Sequence, residues 1–120
     1  LHLAAFFGRA GTAEALLSRG ADVEAAAANP SKVRPLHSAV AGRSAEVVRV
    51  LLAAEPDLEA KQERGFTALM GAAANGLTDL VDLLMAAGAD PATTADDGKT
   101  AADFARVKGH DGLAARLATG

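Results

Sequence analysis

Apolar positions along the chain recur with the spacing of short amphipathic helices. Leu36, Ala39 and Val40 share one face of a predicted helix, and a second apolar stripe follows a few residues later. The second stripe comprises Val47, Val50, Leu51 and Leu52. Because neither short helix can bury its stripe alone, the pattern predicts pairs of helices that pack against neighbouring pairs.

This pattern repeats at a nearly constant period. The segments LHLAAFFG, LHSAVAGR, LMGAAANG and ADFARVKG begin 35, 33 and 33 residues apart. A second block follows three of these starts at a constant offset, as EALLSRGADVEA, RVLLAAEPDLEA and DLLMAAGADPAT. A period in this range indicates a repeat protein in which each unit buries its apolar face against the next one.

Start signals precede the first helix of several units. Thr67 and Thr100 stand just ahead of a helix, where a hydroxyl can accept the free amide hydrogens of the opening turn. Pro35 suits the first turn of its own helix, because its missing N–H would have no partner there. We therefore predict capped helices at these three points.

Stop signals follow the second helices. Gly20 and Gly88 stand where a left-handed residue commonly closes the last turn. Glu55, followed by Pro56, replaces this glycine in the second unit. Because a left-handed glutamate costs on the order of 1 kcal/mol, we expect that helix to end differently.

The combination of G-x-T before the first helix, LHLAA within it and LL-x-x-GAD after the second resembles the ankyrin repeat, over essentially the whole chain. The resemblance implies an all-α solenoid of about four helix-turn-helix units with short hairpin-like finger loops and a concave recognition surface. It divides a single domain, 1–120, into units of approximately 1–28, 29–61, 62–94 and 95–120.

Two departures from the family pattern affect the fingers. The resemblance implies that His37 hydrogen-bonds neighbouring loop backbone, whereas Met70 at the next equivalent position cannot donate. We expect packing alone to hold Met70, and a weaker finger there. The interval of 35 residues adds two residues to the stretch 25–31, which predicts an elongated first finger.

The two ends of the array are expected to differ. Arg106, Lys108 and Arg116 fall where earlier units carry mostly small or apolar residues, so Ala102 to Ala118 reads as a C-terminal cap with a polar outer face. The chain begins in mid-unit at Leu1, without comparable polar substitutions. We expect an upstream segment, such as another repeat, to cover that face.

Composition narrows the range of partners. The formal charge of −3 is too weak to steer the chain onto nucleic acid, and the aromatic residues are only four phenylalanines. The chain has no cysteine and no apolar run of the length that a membrane-spanning helix needs. We expect a monomer without membrane insertion, in an intracellular and more specifically cytoplasmic location.

The chain offers little catalytic chemistry. His2 and His37 occupy equivalent repeat positions, so a structural role is favoured over metal binding, and His110 reads as a loop residue. Ser38 follows His37, but adjacent helical residues point about 100° apart, which is poor geometry for a nucleophile and its base. We therefore predict no enzyme activity, no cofactor and no metal.

The resemblance implies binding of a protein partner, whose identity the sequence does not give. In this family, partner contacts concentrate on the finger just before the capping threonine and on the exposed end of the first helix. The matching finger positions are Val33, Glu63, Arg64, Phe66, Asp96, Asp97 and Lys99. The matching helix positions are Phe6, Phe7, Ala41, Ala74, Asn75, Val107 and Lys108.

Two alternatives stay open. Phe6 and Phe7 would pack against a missing upstream unit instead of a partner, and Phe66 would cover the apolar base of its own finger. At the level of function, the repeats would form a spacer or regulatory arm of a larger polypeptide whose activity lies upstream.

Overall fold

A computed structural model describes residues 8–21 and 34–119. All the regular secondary structure within these ranges is helical, which confirms the predicted all-α class. The α-helices are α1 (Ala10–Ser18), α2 (Pro35–Ala41), α3 (Ala45–Ala53), α4 (Ala68–Ala74), α5 (Thr78–Ala86), α6 (Ala101–Val107) and α7 (Asp111–Thr119), and one short 3-10 helix spans Glu63–Gly65.

The helices stack in two layers. The first helices of successive pairs, α2, α4 and α6, lie side by side and form the inner layer. The second helices α1, α3 and α5 form the outer layer, and α7 packs against α6. Contacts thus run within the pairs α2–α3, α4–α5 and α6–α7 and between equivalent helices of neighbouring pairs, as expected for a linear repeat array.

The core between the layers keeps the repeat register. Leu51, Leu84 and Leu117 occupy equivalent positions on the second helices, and all three are buried. A second equivalent row is also buried and consists of Val47, Leu80 and Leu113. Truncating such a buried leucine to alanine costs about 2–5 kcal/mol, so these rows contribute strongly to the stability of the stack.

The predicted helix starts are confirmed. The Thr67 hydroxyl accepts the Met70 N–H at 3.3 Å, and the Thr100 hydroxyl accepts the Asp103 N–H at 3.3 Å. Pro35 is the first residue of α2. Each cap satisfies an amide that has no partner within its helix, which fixes where α4 and α6 begin.

The second unit's helix ends in the same backbone conformation as the others but with one hydrogen bond fewer, so the expectation of a different end holds only for the hydrogen bonding. Glu55 adopts the left-handed conformation (φ 54°), as do Gly20 (φ 92°) and Gly88 (φ 106°) at the equivalent positions. The Glu55 N–H donates to the Leu52 carbonyl at 3.0 Å, but Pro56 has no N–H to make the further bond that Ala21 donates to Leu16 and Ala89 donates to Leu84, each at 3.0 Å. Stacking of the neighbouring units thus outweighs the local backbone cost of about 1–2 kcal/mol.

The role implied for His37 is confirmed, and that for Met70 is corrected. His37 Nδ1 accepts the Arg34 N–H at 3.0 Å, so its proton lies on Nε2, which donates to the Ala60 carbonyl at 3.1 Å. Met70 is not held by packing alone, because its thioether sulfur accepts the Thr67 N–H at 3.5 Å. Sulfur is a weak acceptor, but it lies in the place that the imidazole nitrogen takes in the preceding unit.

Several expectations fall on residues outside the described ranges. These include the elongated finger at 25–31, the open face at Leu1, the role of His2 and the candidate contacts Phe6, Phe7 and Val33. Among the helices of residues 8–21 and 34–119, none is both long enough and apolar enough to cross a membrane.

Candidate functional site

Within residues 34–119, two finger loops, 62–66 and 95–99, project from the inner layer with the same hydrogen bonding. In the first, the Gln62 N–H donates to the Phe66 carbonyl at 2.9 Å, and in the second the Ala95 N–H donates to the Lys99 carbonyl at 2.9 Å. The Asp96 N–H donates to the Arg64 carbonyl at 3.1 Å, which joins the two fingers. The fingers therefore hold their side chains in a fixed register above the inner helices.

An aromatic pair connects a finger to the next inner helix. Phe66, at the base of the finger 62–66, and Phe104, on α6, are both half-buried. Their ring centroids lie 4.9 Å apart and their planes are inclined at 66°, an edge-to-face arrangement. This pair forms a wall between two depressions on the inner surface.

The first depression, which we call the inner groove, has a volume of about 200 Å³ and runs between α2 and α4 towards the phenylalanine wall. None of its lining residues is an acid, a lysine or an arginine. They are His37, Val40, Ala41, Gln62, Phe66, Thr67, Ala68, Met70, Gly71, Ala74, Asn75 and Phe104.

The second depression lies at the finger tips and is charged. Its volume is about 370 Å³, and Arg64, Asp96 and Asp97 line it together with the two phenylalanine rings. Asp97 also lies 3.9 Å from the Lys99 ammonium, in an exposed pair of low energetic value. The two sides of the wall thus offer different chemistry, apolar on one and ionic on the other.

The structure brings some of the predicted contact residues together. Ala41, Phe66, Ala74 and Asn75 all line the inner groove. Arg64, Asp96 and Asp97 meet Phe66 at the charged depression. Three further candidates, Lys99, Val107 and Lys108, are exposed and line neither depression. The backbone of Glu63 lies in the 3-10 helix.

Sequence reasoning missed Phe104 and Gly71. The repeat period makes both residues equivalent to Ser38, on the inner helices of their units. A Cβ on Gly71 would lie 3.4 Å from Val40 Cγ1, so the absence of a side chain at this position makes the groove deeper. Aligning the units position by position would therefore have identified both residues.

Two observations describe the ionisable groups of residues 8–21 and 34–119. No three His, Cys, Asp or Glu side chains there are arranged to hold a metal ion. The pKa of Asp103 is lowered by the hydrogen bond from the Thr100 backbone N–H, and also by the Thr100 hydroxyl and Arg106. Because these contacts cap helix α6, they explain the shift without any catalytic role.

Comparison with protein families gives one match that extends over nearly the whole chain. A family model described as "Ankyrin repeats (3 copies)" matches residues 1–95 and, in an overlapping placement, residues 36–119. The repeat period, the two layers of helices and the finger loops agree with this match.

The chain spans only part of the length of the similar proteins that it matches. The chain is 42% identical over 93 residues to human neurogenic locus notch homolog protein 4. The aligned segment covers 75% of the chain and 4% of that protein. It is 34% identical over 82 residues to human protein phosphatase 1 regulatory subunit 27, covering 68% of the chain and 53% of the relative. A third relative is calmodulin-binding transcription activator 5 of Arabidopsis thaliana, 45% identical over 67 residues, which are 51% of the chain and 7% of that protein.

Proposed function

Since the chain belongs to the ankyrin-repeat family, we propose that it binds a partner protein through its finger loops and the inner helix layer. Ankyrin repeats are generally protein–protein interaction modules. The observation that supports this surface is the inner groove, where half-buried phenylalanines meet exposed helix ends. Aromatic side chains that are already held in place lose little entropy on binding, and they are common anchors in interfaces.

The outer surface is a weaker candidate. The exposed positions of α3 and α5 are mostly charged or small, as at Glu46, Arg49, Asp79 and Asp82. Of the large apolar side chains in the described ranges, only Val107 is largely exposed, at 65%, and it lies at the end of an inner helix. The inner face therefore offers more apolar surface to a partner than the outer face does.

A matched pair of variants tests which face binds. Ala41 and Ala53 are both exposed alanines that end a helix, one on the inner layer and one on the outer. We expect Ala41→Arg to weaken partner binding at least about tenfold, because it places a bulky charge at the edge of the groove. Ala53→Arg is expected to leave the affinity unchanged.

The measurement is quantitative affinity capture with the full chain and both variants, followed by titration of each captured protein. Thermal unfolding of both variants provides the control for folding. Equal capture by the two variants would contradict binding through the inner face.

A second candidate is a spacer or regulatory arm within a larger polypeptide. The match covers 4% of the notch relative, and the phosphatase relative is itself named as a regulatory subunit. On this alternative, Ala41→Arg and Ala53→Arg both leave every interaction unchanged, and the repeats only set the distance between neighbouring segments.

A further inference from the structure

We propose that the inner groove receives a single bulky, uncharged side chain, such as leucine, methionine or phenylalanine, from a linear segment of the partner. This inference rests on the proposed function and adds the chemical class of the residue that the partner presents. It depends on the size of the groove, on the chemistry of its lining and on the polar groups at its rim.

The size of the groove favours one side chain over a small molecule. Pockets that bind drug-sized ligands and cofactors have volumes of roughly 300–1,000 Å³. The inner groove, at about 200 Å³, is smaller than this range. Three small residues, Ala41, Gly71 and Ala74, keep it open, and the Phe66–Phe104 wall closes one end.

The lining selects an uncharged occupant. The polar side chains at its base are already engaged: both ring nitrogens of His37 bond to backbone atoms, and the Thr67 hydroxyl caps α4. A lysine or glutamate inserted here would lose its hydration and find no opposite charge among the lining residues. Charged neighbours of the anchor would instead meet Arg64 or Asp96 beyond the wall.

The rim can hold the partner's main chain. Asn75 donates through Nδ2 to the Gly71 carbonyl at 2.9 Å, and this leaves its Oδ1 to accept an N–H from the partner. The side-chain amide of Gln62, on the finger side, makes no hydrogen bond within residues 8–21 and 34–119. An extended segment that places its anchor between these two amides could bond to both through its backbone.

Blocked amino acids test this chemistry directly. The probes are the N-acetyl methylamides of leucine, methionine, phenylalanine, lysine and glutamate, added to the isotopically labelled chain. We expect the three apolar probes to shift the backbone amide resonances of Gly71, Ala74 and Asn75, with dissociation constants in the millimolar range or weaker. The lysine and glutamate probes should leave these resonances in place.

Groove-filling variants provide the matched controls. Ala74→Met should reduce the shifts caused by the leucine probe to background, whereas Ala86→Met, at the exposed end of α5, should retain them. Ala41→Met fills the groove from the opposite side and replaces Ala74→Met if that variant does not fold. Thermal unfolding establishes which variants are folded.

Three results would overturn the inference. They are equal shifts from charged and apolar probes, no shift from any probe, or shifts that persist in both Ala74→Met and Ala41→Met. Shifts that grow with protein concentration without any probe, and vanish in Val107→Ser, would instead identify a second copy as the occupant. If Ala41→Arg still abolishes partner capture, the proposed function stands although this inference fails.

Discussion

Arg43 holds a backbone conformation that glycine holds in the other units. Its φ is 59°, and the equivalent residues Gly8, Gly76 and Gly109 have φ of 70°, 67° and 84°. A left-handed residue with a Cβ costs about 1–2 kcal/mol, partly offset by the smaller entropy that a non-glycine loses on folding. We therefore predict that Arg43→Gly raises the free energy of unfolding by roughly 0.5–1 kcal/mol.

Chemical denaturation of Arg43→Gly, Arg43→Ala and the unmodified chain checks this prediction. Alanine removes the same charge but keeps the Cβ, so it separates the backbone effect from the electrostatic one. Equal stability of the two variants would show that backbone strain at position 43 is not the cause.

At the scale of the element, α6 begins with a reciprocal cap that depends on pH. The Thr100 N–H donates to Asp103 Oδ2 at 3.0 Å, and Arg106 donates to Asp103 Oδ1 at 3.1 Å. These bonds favour the ionised carboxylate, so the pKa of Asp103 lies below its ordinary value of 3.8 in the folded chain.

The unfolded chain therefore takes up this proton at a higher pH than the folded chain does. The stabilising contribution of Asp103 is present above the unfolded pKa and is lost as the pH falls through the folded pKa. We predict that Asp103→Asn makes the chain less stable at neutral pH. We also predict that the free energy of unfolding of this variant falls less steeply as the pH is lowered. Urea unfolding between about pH 5 and pH 2 measures this, and parallel curves for the two proteins would exclude the assignment.

Local signals in the sequence predicted most of the elements, because each depends on residues close in the chain. Thr67 and Thr100 were predicted as caps and act as caps. The expectation that Glu55 would avoid the left-handed conformation was wrong, because the penalty for a left-handed glutamate is local while the stacking that outweighs it comes from neighbouring units.

The candidate site was predictable only in part, because some of its contacts join residues of different units. Ala41, Ala74 and Asn75 follow from the repeat register and do line one groove. The pairing of Phe66 with Phe104 joins residues from different units, and no local pattern gives the orientation of two rings. The division into an apolar groove and a charged depression likewise required the three-dimensional arrangement.

The whole molecule is a linear stack, so its stability depends on contacts between neighbouring units. Glu59 makes one such contact, because its carboxylate accepts the Asp90 N–H at 3.0 Å and the Thr93 hydroxyl at 2.7 Å. Hydrogen bonds to a charged acceptor contribute about 1.5–3 kcal/mol, and less where water competes. We predict a coupling free energy of about 1 kcal/mol between Glu59 and Thr93 in a double-mutant cycle.

The cycle uses Glu59→Ala, Thr93→Ala and the double variant, with free energies of unfolding from denaturant titration. Thr94→Ala is the matched control, because Thr94 takes part in the interface through its carbonyl, which accepts from Lys61 Nζ at 3.0 Å. Glu59→Ala and Thr94→Ala should therefore be additive. Additivity of Glu59→Ala with Thr93→Ala as well would mean that the hydrogen bond between these two side chains does not contribute to the stability of the stack.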